Sequence, residues 1–326
     1  MWILQGILIT SLLVSCRTEL QTLDDYIKHY DELDYDTGSL HSRHLKTKRT
    51  LGSTPLELKF NTLNRDFHLS PSASLFTKSY TQTHNNGTSD PVDLYFIYDG
   101  TVKGEPGSDV NGAVVLGIFR GTVRIPGYTV YHIEPAYRFF GIKEARKLPY
   151  HSVIHKEEHI DVNPLRHKRE ADPESSPCAL NEYRDWIVQQ TGTEVNARNR
   201  RNEIAARDEI LSLFASHVTA LNQIYNNAEF RPFNATSPCY QGIRFQIQRT
   251  KIMTNETEKC HDNLNKSAFC QPEISVGDFL NLNSLENHDE FCLAYTFTYR
   301  DFAKSTLGLS WIGKPSGIVS IFGKLH

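Results

Sequence analysis

The chain has 326 residues, a formal net charge of −3, 39% hydrophobic residues and 11% aromatic residues. That length supports about two domains with a modest core in each. The near-neutral, mixed charge gives no field for nucleic acid, the hydrophobic content is too high for a wholly disordered chain, and ordinary glycine and proline usage excludes collagen-like and low-complexity classes.

Residues 1–16 read as a secretory signal peptide. An apolar run from Ile3 to Val14, interrupted by Gln5, Gly6 and short polar residues, gives way to polar sequence at Arg17. The run is too short to span a bilayer, and Val14-Ser15-Cys16 offers small residues for cleavage; a buried N-terminal strand is the alternative. No later run reaches 18 apolar residues, so no transmembrane segment is expected. Sequons at Asn86, Asn234, Asn255 and Asn265 agree with a glycosylated chain in the secretory pathway, secreted or luminal.

The first module, residues 17–169, reads as β-rich. Asp24 to Leu33 suggests one short helix. Leu56-Glu-Leu-Lys-Phe60 alternates as a half-buried strand, and Asp93 to Tyr98 is an apolar-aromatic run ending in the turn signal Asp99-Gly100. Val114 to Arg124 and Tyr128 to Ile133 flank Ile125-Pro-Gly127 and predict a hairpin. Tyr150 to Ile154 reads as a strand.

His155-Lys-Glu-Glu-His159 matches the H-x-x-E-H zinc pattern, which works only when both imidazoles share a helix face. Directly after a strand, residues four apart lie about 13 Å apart and cannot grip one ion, so a structural role is expected for both.

Arg166-His-Lys-Arg169 is followed by a polar, proline-containing stretch, with residues 170–177 expected to be an exposed linker. A subtilisin-like proprotein convertase needs basic side chains at the first, second and fourth positions before its cut, because acidic pockets pair with each. Arg169, Lys168 and Arg166 supply them. Lys46-Thr-Lys-Arg49 lacks the fourth-position arginine, and Arg198-Asn-Arg-Arg201 fits but leads into a helix; a solvated surface is the other reading of either cluster.

The second module, residues 178–317, alternates helix and strand. Ile210, Phe214, Val218, Leu221 and Tyr225 recur at helical spacing and predict a helix over 205–225. Strands are expected at Ala179 to Val188, Gly242 to Ile252, Phe291 to Tyr299 and Leu307 to Ile312, and a short helix at Val276 to Leu282. This pattern predicts an α/β sandwich with a mostly parallel sheet. Residues 17–177 contain no cysteine, whereas Cys178, Cys239, Cys260, Cys270 and Cys292 follow, so the two modules use different stabilising strategies.

Asp25-Tyr-Ile-Lys-His-Tyr30, Ile133-Glu-Pro-Ala136 and Leu148-Pro-Tyr-His-Ser-Val-Ile154 resemble the prodomain of the Kuzbanian-type disintegrin-and-metalloprotease (ADAM) sheddases. Ser216-His-Val-Thr-Ala-Leu221, Phe279-Leu-Asn-Leu282, Asn287-His-Asp-Glu-Phe-Cys-Leu-Ala-Tyr295, Tyr299-Arg-Asp-Phe302 and Leu307-Gly-Leu-Ser-Trp311 resemble the upper half of the catalytic domain of that family. The resemblance runs from about residue 24 to Gly317. It implies a multi-domain chain: a β-rich prodomain followed by a truncated α/β metzincin-like metalloprotease domain, with a divergent tail at 318–326.

The same resemblance makes Arg166 to Arg169 the maturation site and Leu307, Gly308, Leu309, Ser310 and Trp311 the edge strand that pairs with substrate backbone. It implies disulfides Cys178–Cys292 and Cys260–Cys270, leaving Cys239 over. The first of these closes a long loop, worth about 4–5 kcal/mol in the chain-entropy account. The complete family enzyme is a cell-surface zinc metalloendopeptidase that sheds ectodomains of type I membrane proteins, Notch-type receptors among them, holding Zn²⁺ in H-E-x-x-H-x-x-G-x-x-H.

No H-E-x-x-H occurs in this sequence, nor the prodomain cysteine that can cap zinc in relatives. The expectation is therefore a truncated precursor with no zinc cofactor, no catalytic residues and no activity of its own. The alternative is a non-catalytic secreted glycoprotein that acts as a substrate-binding decoy, or as a prodomain inhibitor or chaperone of a full-length relative.

Overall fold

A computed structural model of the chain describes residues 23, 27–50, 52, 54–60, 65–84, 89, 92–161, 200–230, 239–252, 268–271, 274–298, 302, 310–314 and 317–321. The expected leader, the Arg166, Lys168 and Arg169 processing site, the linker, Ala179 to Val188, all four sequon asparagines and Leu307 to Leu309 lie outside these residues.

Eight strands of the first module form one antiparallel, curled sheet. In chain order they are β1 (Asp31–Leu33), β2 (Leu56–Phe60), β3 (Arg65–Pro71), β5 (Ile97–Val102), β6 (Asp109–Val115), β7 (Ile118–Arg124), β8 (Val130–Pro135) and β9 (Ser152–Lys156). Their order across the sheet is β1-β9-β8-β7-β6-β5-β3-β2. The intervening β4 (Phe76–His84) leaves this sheet.

Alternation in Leu56–Phe60 places Leu56, Leu58 and Phe60 inward, as the period-2 pattern requires. Helix α1 (Thr37–Arg49) starts where the Asp36 carboxylate accepts the Ser39 N–H, and Leu40 seats it on one face of the sheet among Phe60, Phe67, Phe119 and Ile133.

The predicted hairpin around Pro126-Gly127 joins β7 to β8, with Gly127 at φ +77°. Val114 to Arg124 is not one strand. It breaks at Leu116 (φ 50°) and Gly117 (φ +80°), a two-residue turn between paired Val115 and Ile118.

Asp99-Gly100 is likewise no turn but the middle of β5. A Cβ at Gly100 would lie 2.1 Å from the His68 carbonyl oxygen, so the glycine permits close strand approach. The expected helix at Asp24 to Leu33 is also absent from the described part of that segment. Ile27, Tyr30 and Leu33 are buried at a helix-like spacing, yet Ile27 bridges Ile160 and β1 pairs with β9, so edge pairing supplies the backbone partners instead.

The C-terminal half contributes α3 (Arg200–Asn227), β10 (Ile247–Ile252), α4 (Val276–Asn283), β11 (Ser310–Lys314) and β12 (Gly317–Ile321). Ser275 caps α4 by accepting the Asp278 N–H. Short α2 (Tyr137–Ala145) belongs to the first module.

The mostly parallel sheet predicted for the second module is not present among the described residues. The parallel pairing found there joins β10 to β4 of the first module, and β11 pairs antiparallel with β12. Residues 291–298 lie outside any strand, with Tyr295 and Phe297 exposed, because no strand runs beside them among the described residues. The strand expected from Gly242 begins only at Ile247, after Gly242 at φ +71°.

Candidate functional site

The face of the sheet opposite α1 is covered by α3. Ala205, Ala206, Ile210, Leu211 and Ala215 pack on Phe96, Ile97, Ala113, Val115, Ile118 and Tyr137. Alanines on the helix let its backbone approach the sheet closely, and burial of this apolar face is the main attachment between the two modules. The sequence-predicted stripe overlaps it at Ile210; Phe214 is only partly buried, and Val218, Leu221 and Tyr225 belong to the half-exposed end of the helix.

Beside α3, β4 and β10 run in parallel. The Leu75 carbonyl accepts the Ile247 N–H at 2.7 Å, and the Tyr80 and Thr250 hydroxyls are 2.6 Å apart. Phe76, Tyr80 and Ile252 continue the same apolar cluster.

Charges are buried at the centre of this interface. The Arg120 side chain on β7 is 6% exposed and the Glu209 side chain on α3 is 3% exposed. Arg120 places Nε 2.9 Å from Glu134 Oε2 and Nη1 3.4 Å from Glu209 Oε1. The Tyr137 hydroxyl donates to Glu209 Oε1 at 2.9 Å, and Arg138 also pairs with Glu134.

Two arginines therefore face two carboxylates, and the group is electrically balanced. Burial pushes the Glu134 carboxyl up, but Arg120 and Arg138 outweigh it and hold it below the usual carboxylate range. Asp208, the residue before Glu209 on α3, is half-buried. Burial, with Asp93 beside it, pushes its carboxyl up to about 7 against the pull of Lys48.

On the adjoining strands His132 and His155 are register partners. Their rings stack at 5.2 Å with 17° between planes. Burial lowers the His132 imidazole, opposed by Glu157 and Glu134 and aided by Arg124.

His155 thus stacks on His132, whereas His159 meets His29 edge-on at 5.2 Å. The H-x-x-E-H stretch is split between β9 and the 3₁₀ turn Glu157–His159. Among the described residues no group of three or more His, Cys, Asp or Glu is placed to hold a metal ion.

Cys292 is an exposed free cysteine in the segment that has no neighbouring strand, and its expected partner Cys178 lies outside the described residues. Cys239 is also free and exposed, and Cys270 is disulfide-bonded. Its expected partner Cys260 lies outside the described residues. Of the predicted substrate-edge residues, Ser310 and Trp311 open β11, paired with Ile321 and Ser320 of β12. No described helix is long and apolar enough to cross a membrane.

The interface was not singled out from sequence. Its signal is a charged residue, Glu209, beside the apolar residues of a helix face, which gains meaning only once Arg120 is placed opposite.

Comparison with known proteins adds lineage to this geometry. Residues 182–323 match the model of metallo-peptidase family M12. The chain is 34% identical over 336 residues to disintegrin and metalloproteinase domain-containing protein 10 of Bos taurus and 33% identical over 343 residues to that of Homo sapiens; each match covers 90% of this chain and 42% of the relative. The homolog from Caenorhabditis elegans is 29% identical over 358 residues. The chain spans about two fifths of the length of the curated relatives it matches.

Proposed function

The chain belongs to the disintegrin-and-metalloproteinase family, and from that premise we propose that its two modules are a prodomain and the metallopeptidase portion that it folds and holds latent. The supporting observation is the Arg120–Glu209 pair, buried where the first-module sheet covers α3. Burying a charge is costly without its partner, so this pair favours one specific docking of the two modules. The β4–β10 pairing supplies the second module with a strand neighbour from the first.

In this reading the whole protein is a zinc metalloendopeptidase of the secretory pathway and cell surface, cutting ectodomains from type I membrane proteins, Notch-type receptors among them. A proprotein convertase separates the modules after Arg169. Cys260–Cys270 is the local bridge. These 326 residues contain no H-E-x-x-H, so hydrolysis is not assigned to them. The buried interface equally supports a non-catalytic role for the first module, as chaperone or inhibitor of a full-length relative.

Cleavage of the full chain by a purified convertase, followed by gel filtration at neutral pH, tests the holding role. The two fragments are expected to co-elute. Separation of intact, folded fragments would refute it.

A further inference from the structure

We propose that the stacked pair His132–His155, linked through Glu134 and Arg120 to Glu209 on α3, makes the attachment of the second module acid-labile. The inference rests on the latent-zymogen reading and adds its regulation.

His132 and His155 are cross-strand partners on β8 and β9, stacked face to face. Two neutral imidazoles tolerate that contact; two imidazoliums at the same distance repel. The His132 Nε2 atom is buried with no hydrogen-bond partner, so a proton added there meets no acceptor. Glu134 lies two residues along β8 and interacts electrostatically with His155. That carboxylate is the one on which Arg120 and Arg138 converge. Arg120 carries the connection on to Glu209. Protons gained by the histidines therefore add positive charge beside a group that is already balanced.

The remaining charged groups have defined signs. Arg124 disfavours a proton on His132, while Glu157 and Glu134 favour one, and burial outweighs these two carboxylates. From the α3 side, His217 faces Arg120, Arg138 and Glu134, with its imidazole lowered by burial first and then by the two arginines. An imidazole lowered in the docked state favours docking above the usual histidine range, and that preference is lost as pH falls. Asp208 acts oppositely. Its raised carboxyl makes docking less favourable as pH rises through about 7, with Lys48, Asp93, Arg207 and Glu209 as its charged neighbours. A D208N background removes this opposing proton.

The test is hydrogen exchange of the full D208N chain at pH 7.5, 6.0 and 5.0, corrected for the intrinsic pH dependence of amide exchange and read at residues 205–215. Protection at pH 7.5 is expected. The opening constant should then rise about tenfold per pH unit for each proton taken up on opening. H132Q/H155Q in the same background should flatten this slope.

Protection that persists unchanged at pH 5.0, or a slope that the double variant leaves intact, overturns the acid-labile connection alone. Absence of protection already at pH 7.5 overturns the docking reading, and this proposal with it. If the double variant does not fold, imidazole titration by NMR in the D208N chain decides. His132 and His155 must titrate together with loss of α3 protection, and titration without opening overturns the proposal.

Discussion

Replacing Arg120 by methionine keeps an unbranched apolar side chain of similar reach and removes the guanidinium. Glu209, whose side chain is 3% exposed, then keeps the Tyr137 hydroxyl as a donor but loses the guanidinium that balances its charge. Glu134 keeps Arg138 and is less deeply buried. Removing one member of a buried pair costs about 3–5 kcal/mol, because the other charge is left without compensation. Retention of the Tyr137 and Arg138 contacts places R120M near the lower end, at about 3 kcal/mol, or about a hundredfold in the docking equilibrium. Urea titration of the full chain, with α3 exchange as a second probe, gives the magnitude. The R120M/E209L double variant separates charge from shape: with both charges gone, the double should be more stable than the sum of the single losses, since no orphan charge remains. A loss below about 1 kcal/mol for R120M, or strict additivity in the double, would refute the argument that this pair is buried and coupled.

Three further outcomes follow from other parts of the molecule. Gly112→Ala places a Cβ 2.3 Å from the Arg120 carbonyl oxygen and 2.6 Å from Phe119 Cζ, so it should cost about 3 kcal/mol or prevent folding; a thermal melt within a few degrees of the parent chain contradicts this. Tyr80→Phe removes the hydroxyl contact to Thr250 and should cost about 1 kcal/mol, lowering exchange protection at β4 and β10 while sparing β6 and β7. His44 is buried with Nδ1 2.7 Å from the Tyr98 hydroxyl, and burial, with His41 and Lys48, lowers its imidazole to about 4. Being lowered in the fold, it leaves stability intact above its usual value near 6.5 and removes about 3 kcal/mol as pH falls from there to about 4. H44Q should flatten that acid limb in a stability-versus-pH series, and an unchanged limb would show that other groups set it.

The alternating residues of β2, the hairpin at Pro126-Gly127 and the helices at 200–227 and 276–283 were legible because each is specified within its own segment. Their partners were not. Phe76–His84 carries Thr, Lys, Ser and Gln around Phe76 and Tyr80, and its neighbour β10 lies more than 160 residues downstream. Arg120 and Glu209 are separated by 89 positions, and neither type betrays burial in a sequence, since most Arg and Glu are exposed. The errors share a cause. Asp99-Gly100 carries turn chemistry and Ile27, Tyr30 and Leu33 carry a helical spacing, but strand neighbours overrode both by offering backbone partners.

The same reasoning explains Phe291 to Thr298 in reverse. Its residues suit a central strand, yet without a neighbour among the described residues the segment forms no strand and stays largely exposed, Phe297 stacking on Phe214 and His217 of α3. Strand propensity is the capacity to fit beside another strand, so it predicts an element only where the fold supplies the second one. Helix α3 needs no such supply. Its backbone bonds are internal, and its alanine-lined face with a single buried Glu209 asks only for a flat apolar surface bearing one arginine. The first-module sheet provides that surface, which is why α3 docks on it through residues 205–215 while Phe291 to Thr298 stays outside any strand among the described residues.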